Sequence, residues 1–206
     1  MARRRQSSGS PPGTSPSGTE AGDPEAQARQ ICLGLLAIAP KTRAQLAQAL
    51  RRRGVPAEAA EAVLARFTDV GLIDDAVFAR AWVESRHYSR GLSRRSLSAE
   101  LRRQGVPAQD IREAVGTLDP EQEAATARRL VEQKMAGTRG QPPEVRARRA
   151  AGTLARKGYP PGLVFRLIKE VLEQEGPEGS HETLELDPEQ YLDADDPDPE
   201  PSDTGE

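Results

Sequence analysis

Between residues 25 and 175 apolar residues recur at three- and four-residue spacing, the period of a helix with one buried face. Ile31, Leu35, Leu36 and Ile38 form the first stripe, with Cys32 inside it as a core residue. Asp23-Pro24-Glu25 opens this helix as a cap followed by proline, and Pro40 ends it. Thr42-Arg43-Ala44-Gln45 has the pattern of a capping box, and Leu46, Ala49 and Leu50 carry the second helix inward. Ala59, Ala60, Val63, Leu64 and Phe67 predict a third over about 56–69, stopped by Gly71. Asp74 is the expected cap of a fourth, whose stripe is Val77, Phe78, Ala81, Trp82 and Val83 and whose end is near Tyr88. Phe78 and Trp82 read as core residues. A turn over 89–92 follows, and Ser93 or Ser96 caps a fifth helix bearing Leu97 and Leu101. Ile111, Ala114 and Val115 mark a sixth. Asp119-Pro120 opens a seventh with Ala124, Ala127, Leu130, Val131 and Met135. A looser loop over 137–143 leads to an eighth over 144–157. Leu163, Val164, Leu167, Ile168, Val171 and Leu172 mark a ninth, ending near Gln174.

One short stretch punctuates this pattern three times: LRRRGVP at Leu50–Pro56, LRRQGVP at Leu101–Pro107 and LARKGYP at Leu154–Pro160. The leucines stand 51 and 53 residues apart, a period that signals structural repeats. Gly54, Gly105 and Gly158 fit the position just past a helix end, where positive φ favours glycine. Pro56, Pro107 and Pro160 suit the first turn of the next helix. The fold class that follows is all-α: three tandem three-helix repeats, helix-turn-helix-like, stacked into an elongated curved rod. The repeats are expected at 23–71, 72–118 and 119–175. A Ser/Pro/Gly-rich tail over 1–22 and an acidic tail over 176–206 are expected to be disordered.

Charge sharpens this division. The net charge of -3 conceals a body, 25–175, with 26 Lys/Arg against 18 Asp/Glu, and a tail, 176–206, with 12 Asp/Glu and no basic residue. A basic body suggests an anionic partner. The tail's plain role is solvation; the sharper expectation is that it folds back on the body and competes with that partner. Arg3, Arg4 and Arg5 add a weak basic cluster. The loop around 89–95 holds three arginines and two serines, and is expected to be flexible and to touch phosphate or carboxylate.

Catalytic chemistry is not legible. There is no GxxxxGK(S/T) loop, HExxH or CxxC pattern. One cysteine allows no intrachain disulfide, and His87 and His181 make no ligand pair, so neither metal nor cofactor is expected. His87 reads as a lone histidine. The N-terminus has no apolar leader and no stretch reaches about 18 apolar residues, so a soluble, cytoplasmic, non-enzymatic protein is expected.

The segments GLIDDAVFARAWVESR (Gly71–Arg86) and RGLSRRSLSAELRRQGV (Arg90–Val106) follow, with Ile73 in the place of the leading leucine, the pattern L-(I/D)-D-x-x-(F/Y)-(A/V), a basic glycine loop, then L-x-x-x-G-(I/V). With TLARKGYPPGLVFRLIKEVL at Thr153–Leu172, the chain over about 25–175 resembles the RecX family, bacterial regulators of the RecA recombinase. The resemblance implies a monomer that binds the RecA–single-stranded DNA filament, and duplex DNA weakly. It also implies curbed filament extension and lowered ATPase, strand-exchange and coprotease output. Candidate contacts are Arg86, Arg90, Arg94 and Arg95; Arg52 and Arg103 at the repeated turns; and Arg146, Arg149, Arg156 and Lys157. The residues alone also admit a helix-turn-helix transcription factor, or a helical scaffold for an acidic protein.

Overall fold

The computed structural model describes residues 23–175; the two expected tails, with Arg3, Arg4 and Arg5, lie outside the described residues. All regular structure within 23–175 is helical: α1 (Pro24–Ile38), α2 (Arg43–Arg52), α3 (Ala57–Asp69), α4 (Asp75–Arg90), α5 (Arg94–Arg103), α6 (Ala108–Gly116), α7 (Pro120–Ala136), α8 (Pro143–Arg156) and α9 (Pro161–Glu175). None of these helices is long and apolar enough to cross a membrane.

The polar residues at the helix starts set these boundaries. The carboxylates of Asp23, Asp74 and Asp119 accept from the N–H groups of Glu25, Val77 and Glu121. Thr42 and Gln45 close a reciprocal capping box. Of the two serines considered for α5, Ser93 is the cap, accepting from Ser96 N–H. Each such cap is worth about 1 kcal/mol.

The three repeated stretches are three copies of one helix stop. Gly54, Gly105 and Gly158 take φ of 73°, 78° and 84°. Val55, Val106 and Tyr159 then donate back to the carbonyls of Leu50, Leu101 and Leu154 at 3.1–3.2 Å, while each glycine N–H bonds one turn earlier, the double closure of a Schellman motif. Pro56, Pro107 and Pro160 therefore sit one place earlier than expected, each just before its helix. Only one residue separates glycine from proline, and the proline carbonyl accepts the first helical N–H groups, from Ala60, Ile111 and Val164.

The extensive helix packing falls within triplets: α1–α3, α4–α6 and α7–α9 each enclose a separate core. Leu50, Leu101 and Leu154 are wholly buried, one in each. Cys32 lies in the first core, where burial pushes its thiol pKa up. Ile73 belongs to this first core too, although it follows the glycine that stops α3. Phe78 and Trp82 are only half-buried at the edge of the second core; their rings stack at 5.6 Å, and the indole N–H donates to Glu100 at 2.9 Å.

Two joints of one design connect the triplets. In each, the start of a second helix enters the glycine turn of the next triplet. Thr42 Oγ1 donates to the Gln104 carbonyl at 2.7 Å, and Arg43 N–H donates to the Asp75 carboxylate at 2.9 Å. In the second joint Ser93 N–H donates to the Lys157 carbonyl at 3.0 Å, and Arg94 N–H to the Glu123 carboxylate at 2.8 Å. An acid of one triplet thus faces the positive end of a helix dipole in another. Burial raises the Asp75 pKa, and the Arg43 N–H bond opposes the rise. The backbones approach closely: a Cβ at Gly105 would stand 2.3 Å from Ala44 Cβ, and one at Gly158 2.1 Å from Ser96 Oγ. The matching turn at Gly54 meets nothing within 4 Å. At the other end, α8 starts differently from α2 and α5: Pro142 is its cap position, Pro143 its first residue, and no side chain caps it.

Candidate functional site

The second joint carries the densest set of cations and an exposed aromatic. It is built from the end of α4, which runs through Arg90 and stops at Gly91 with φ 61°. The expected flexible loop at 89–95 is instead a three-residue turn in which Gly91 and Ser93 are buried. Several groups pin it. Tyr159 hydroxyl donates to the Gly91 carbonyl at 3.0 Å, and burial raises the phenol pKa, which keeps it a donor. The Lys157 ammonium donates to the Arg90 carbonyl at 2.6 Å. His87 Nδ1 donates to the Leu92 carbonyl at 2.9 Å, and Nε2 faces Thr126 Oγ1 at 3.1 Å. His87 is therefore a bridge between triplets. Its polar composition predicts flexibility; Lys157 and Tyr159, which order the loop, lie 67 and 68 positions from their partners.

Above this turn opens a groove of about 560 Å3 lined by Tyr88, Arg90, Leu92, Arg129, Leu130 and Lys157. It shares Leu130, Gln133 and Lys157 with a second cleft of about 430 Å3 that adds Lys134, Thr138 and Thr153. Tyr88 is 85% exposed on its rim. Three cations around an open groove, a fourth in the adjoining cleft and an exposed aromatic ring are the ingredients for tracking a phosphate backbone and stacking a base. A smaller cleft of about 370 Å3 between α5 and α6 gathers Arg94, Arg102 and Arg112 beside Ser98. No cluster of His, Cys, Asp or Glu able to hold a metal exists among the described residues.

The candidate arginines are brought together only in part. Arg90 and Lys157 meet in the groove, and Arg94 lies in the α5–α6 cleft. Arg52, Arg103 and Arg156 are each the last residue of a second helix and are exposed, as are Arg95 and Arg149. Arg86 lies over Trp82, 4.4 Å from the ring centroid, at the first joint. Tyr88, Arg129, Lys134, Arg102 and Arg112 were not among them. Tyr88 had a signal: it falls off the Ala79–Val83 line that α4 buries.

Arg146 corrects the expectation of a surface contact. It is 7% exposed, and its guanidinium bonds both Glu175 oxygens, at 2.7 and 2.8 Å, and the Met135 carbonyl at 3.1 Å. It lies four residues before Ala150 and eight before Leu154, on the inward face of α8, where only a paired charge is tolerated. These bonds hold the Glu175 carboxyl below its usual pKa, against a smaller opposing effect of burial. A depressed carboxylate stabilises above its ordinary pKa, and the contribution is lost as pH falls through the folded value. The protection factor of amides at the end of α9, with the intrinsic pH dependence of exchange divided out, is expected to fall as pH drops below 4.5. Glu175→Gln should show low protection already at neutral pH and no acid step.

Three family models match in order: "RecX, first three-helix domain" over residues 28–67, "RecX, second three-helix domain" over 74–115 and "RecX, third three-helix domain" over 121–168. The regulatory protein RecX of Thermobifida fusca is 61% identical over 153 residues, covering 74% of this chain and 83% of that protein. That of Streptomyces coelicolor is 57% identical over 159 residues, covering 77% and 85%. A solved crystal structure of regulatory protein RecX superposes with a TM-score of 0.64 at 26% identity, covering 72% of this chain and 74% of that one. RecX from Lactobacillus salivarius shares the fold at 15% identity, with a TM-score of 0.65 over 72% of this chain and 96% of that one.

Proposed function

The chain belongs to the RecX family of regulatory proteins, and on that premise we propose that it is a non-enzymatic regulator of RecA. It binds the RecA–single-stranded DNA filament in the cytoplasm, inhibits filament extension, and lowers ATPase, recombinase and coprotease output. Through these it modulates DNA repair and the SOS response. The working units are the triplets 23–71, 72–118 and 119–175. The observation that carries this reading is the cationic groove at the second joint, with Arg90, Arg129, Lys134 and Lys157 below the exposed Tyr88 ring. Serial triplets let several cations follow one helical groove at once. Arg52, Arg86, Arg94, Arg95, Arg103, Arg149 and Arg156 are the further contacts proposed.

ATP hydrolysis by RecA on single-stranded DNA is the direct test. The full chain, well below one copy per RecA, is expected to suppress turnover. Arg90→Glu with Arg129→Glu should weaken suppression at least tenfold and flatten its salt dependence, since each lost phosphate contact removes about 0.7 from the slope for single strands. Suppression that the double variant leaves intact at all salt concentrations would move the contact off this groove. No suppression at any ratio by a folded chain would overturn the RecA reading.

A further inference from the structure

The first joint leaves a second opening, of different character. It is a groove of about 600 Å3 whose apolar lining includes Leu36, Pro40, Leu72, Val77, Phe78 and Trp82. Leu72 and Val77 are half-exposed, and Ile38, just before its rim, is 83% exposed. Open apolar surface of this kind marks an interaction site. Lys41 and Arg86 also line it, and neither pairs with a carboxylate among the described residues. Its position over the Trp82 ring, 4.4 Å from the centroid, holds the Arg86 guanidinium, whose N–H groups can fork a carboxylate. The one acid in the lining, Asp74, is engaged as the cap of α4. The groove therefore fits an acidic segment with apolar side chains.

The chain contains such a segment. The 31 residues after Glu175 hold 12 acids and no Lys or Arg, yet their large apolar residues, Leu184, Leu186, Tyr191 and Leu192, all fall within nine positions. A purely solvating tail has no need of them. Glu175, at its root, is clamped by Arg146. From there 9 to 17 extended residues reach roughly 30–60 Å, on the scale of two triplets. Tethering also raises the local concentration of the segment to about the millimolar range.

We propose that residues 182–196 of the same chain occupy this groove, with Leu184, Leu186, Tyr191 and Leu192 against its apolar lining and the flanking carboxylates on Lys41 and Arg86. With the groove occupied, the Arg86 guanidinium is withheld from any other anion.

Trp82 is the chain's one tryptophan, so its emission reads the groove in the full-length protein. The comparison is wild type against one variant carrying Leu184→Ser, Leu186→Ser, Tyr191→Ser and Leu192→Ser, all outside the helical body. The variant is expected to keep its helical circular dichroism, emit at longer wavelength, and expose Trp82 about twofold more to acrylamide. Salt at about 0.5 M should move the wild type part of the way towards the variant. Identical emission and quenching would overturn the proposal. A difference that disappears on about hundredfold dilution would overturn it too, by assigning the groove to the tail of a second copy. Neither RecA nor DNA is present, so the result is independent of the filament reading.

Discussion

Gly105→Ala is expected to cost about 2–5 kcal/mol and to pull the first triplet off the second, while Gly54→Ala costs only about 1–2 kcal/mol. Both glycines have the same left-handed φ, at 78° and 73°, and a Cβ in that region costs roughly 1–2 kcal/mol at either. The surroundings differ. The new methyl at Gly105 would sit 2.3 Å from Ala44 Cβ on the first turn of α2, so the helix itself must retreat. Overpacking of this kind adds about 1–3 kcal/mol. Retreat also stretches the bonds from Thr42 to Gln104 and from Arg43 to Asp75, which have no replacement inside either triplet. At Gly54 the methyl enters open space. Thermal unfolding and amide exchange at 42–45 and 75 separate the cases. Equal losses in the two variants would show that the joint contributes nothing to stability.

Leu101→Ala is expected to unfold the middle triplet at physiological temperature. Removing a wholly buried leucine costs about 2–5 kcal/mol, depending on how far the site collapses. A unit of some 47 residues, at roughly 0.05–0.15 kcal/mol per residue, has about 2–7 kcal/mol in total. The loss is therefore comparable to the whole. Leu50→Ala and Leu154→Ala remove the equivalent side chains from the end triplets. In a one-dimensional stack each of those should melt one end and leave the other two protected, whereas Leu101→Ala also severs both joints. Exchange protection, read triplet by triplet, checks this. Loss of protection along the whole chain in all three variants would mean that the rod unfolds as one unit.

Local chemistry explains why the helices could be read in advance. Caps, glycine stops and 3.6-residue stripes act within a few residues, and Asp23, Thr42, Asp74 and Asp119 all cap as their neighbours require. The joints could not be read the same way. Thr42 and Gln104 are 62 positions apart, and nothing near either predicts the other. The same gap hid the order of the 89–95 turn, which depends on Lys157 and Tyr159. For the site, arginine content located the basic body but not its faces. Arg146 shows the difference: its charge points outward to a partner, whereas its spacing from Ala150 and Leu154 places it inside. Nothing local to Arg129 or Lys134 distinguishes them from the other surface cations.

The proline pair that opens α8 gives the third module an end unlike those of the other two. A module with a plug on one side and a receptive turn on the other is a monomer for head-to-tail growth, and such contacts generate open fibres unless something ends them. The turn at Gly54 is unobstructed, so one end of the stack is still reactive. The growth reaction needs the first helical N–H of an incoming second helix, the group that Arg43 and Arg94 supply. Pro143 has no such hydrogen, and Pro142 brings no hydroxyl or amide side chain to the cap. In the polymer chemist's sense the third module carries an end group: the start of its second helix lacks the donors that α2 and α5 use at the joints.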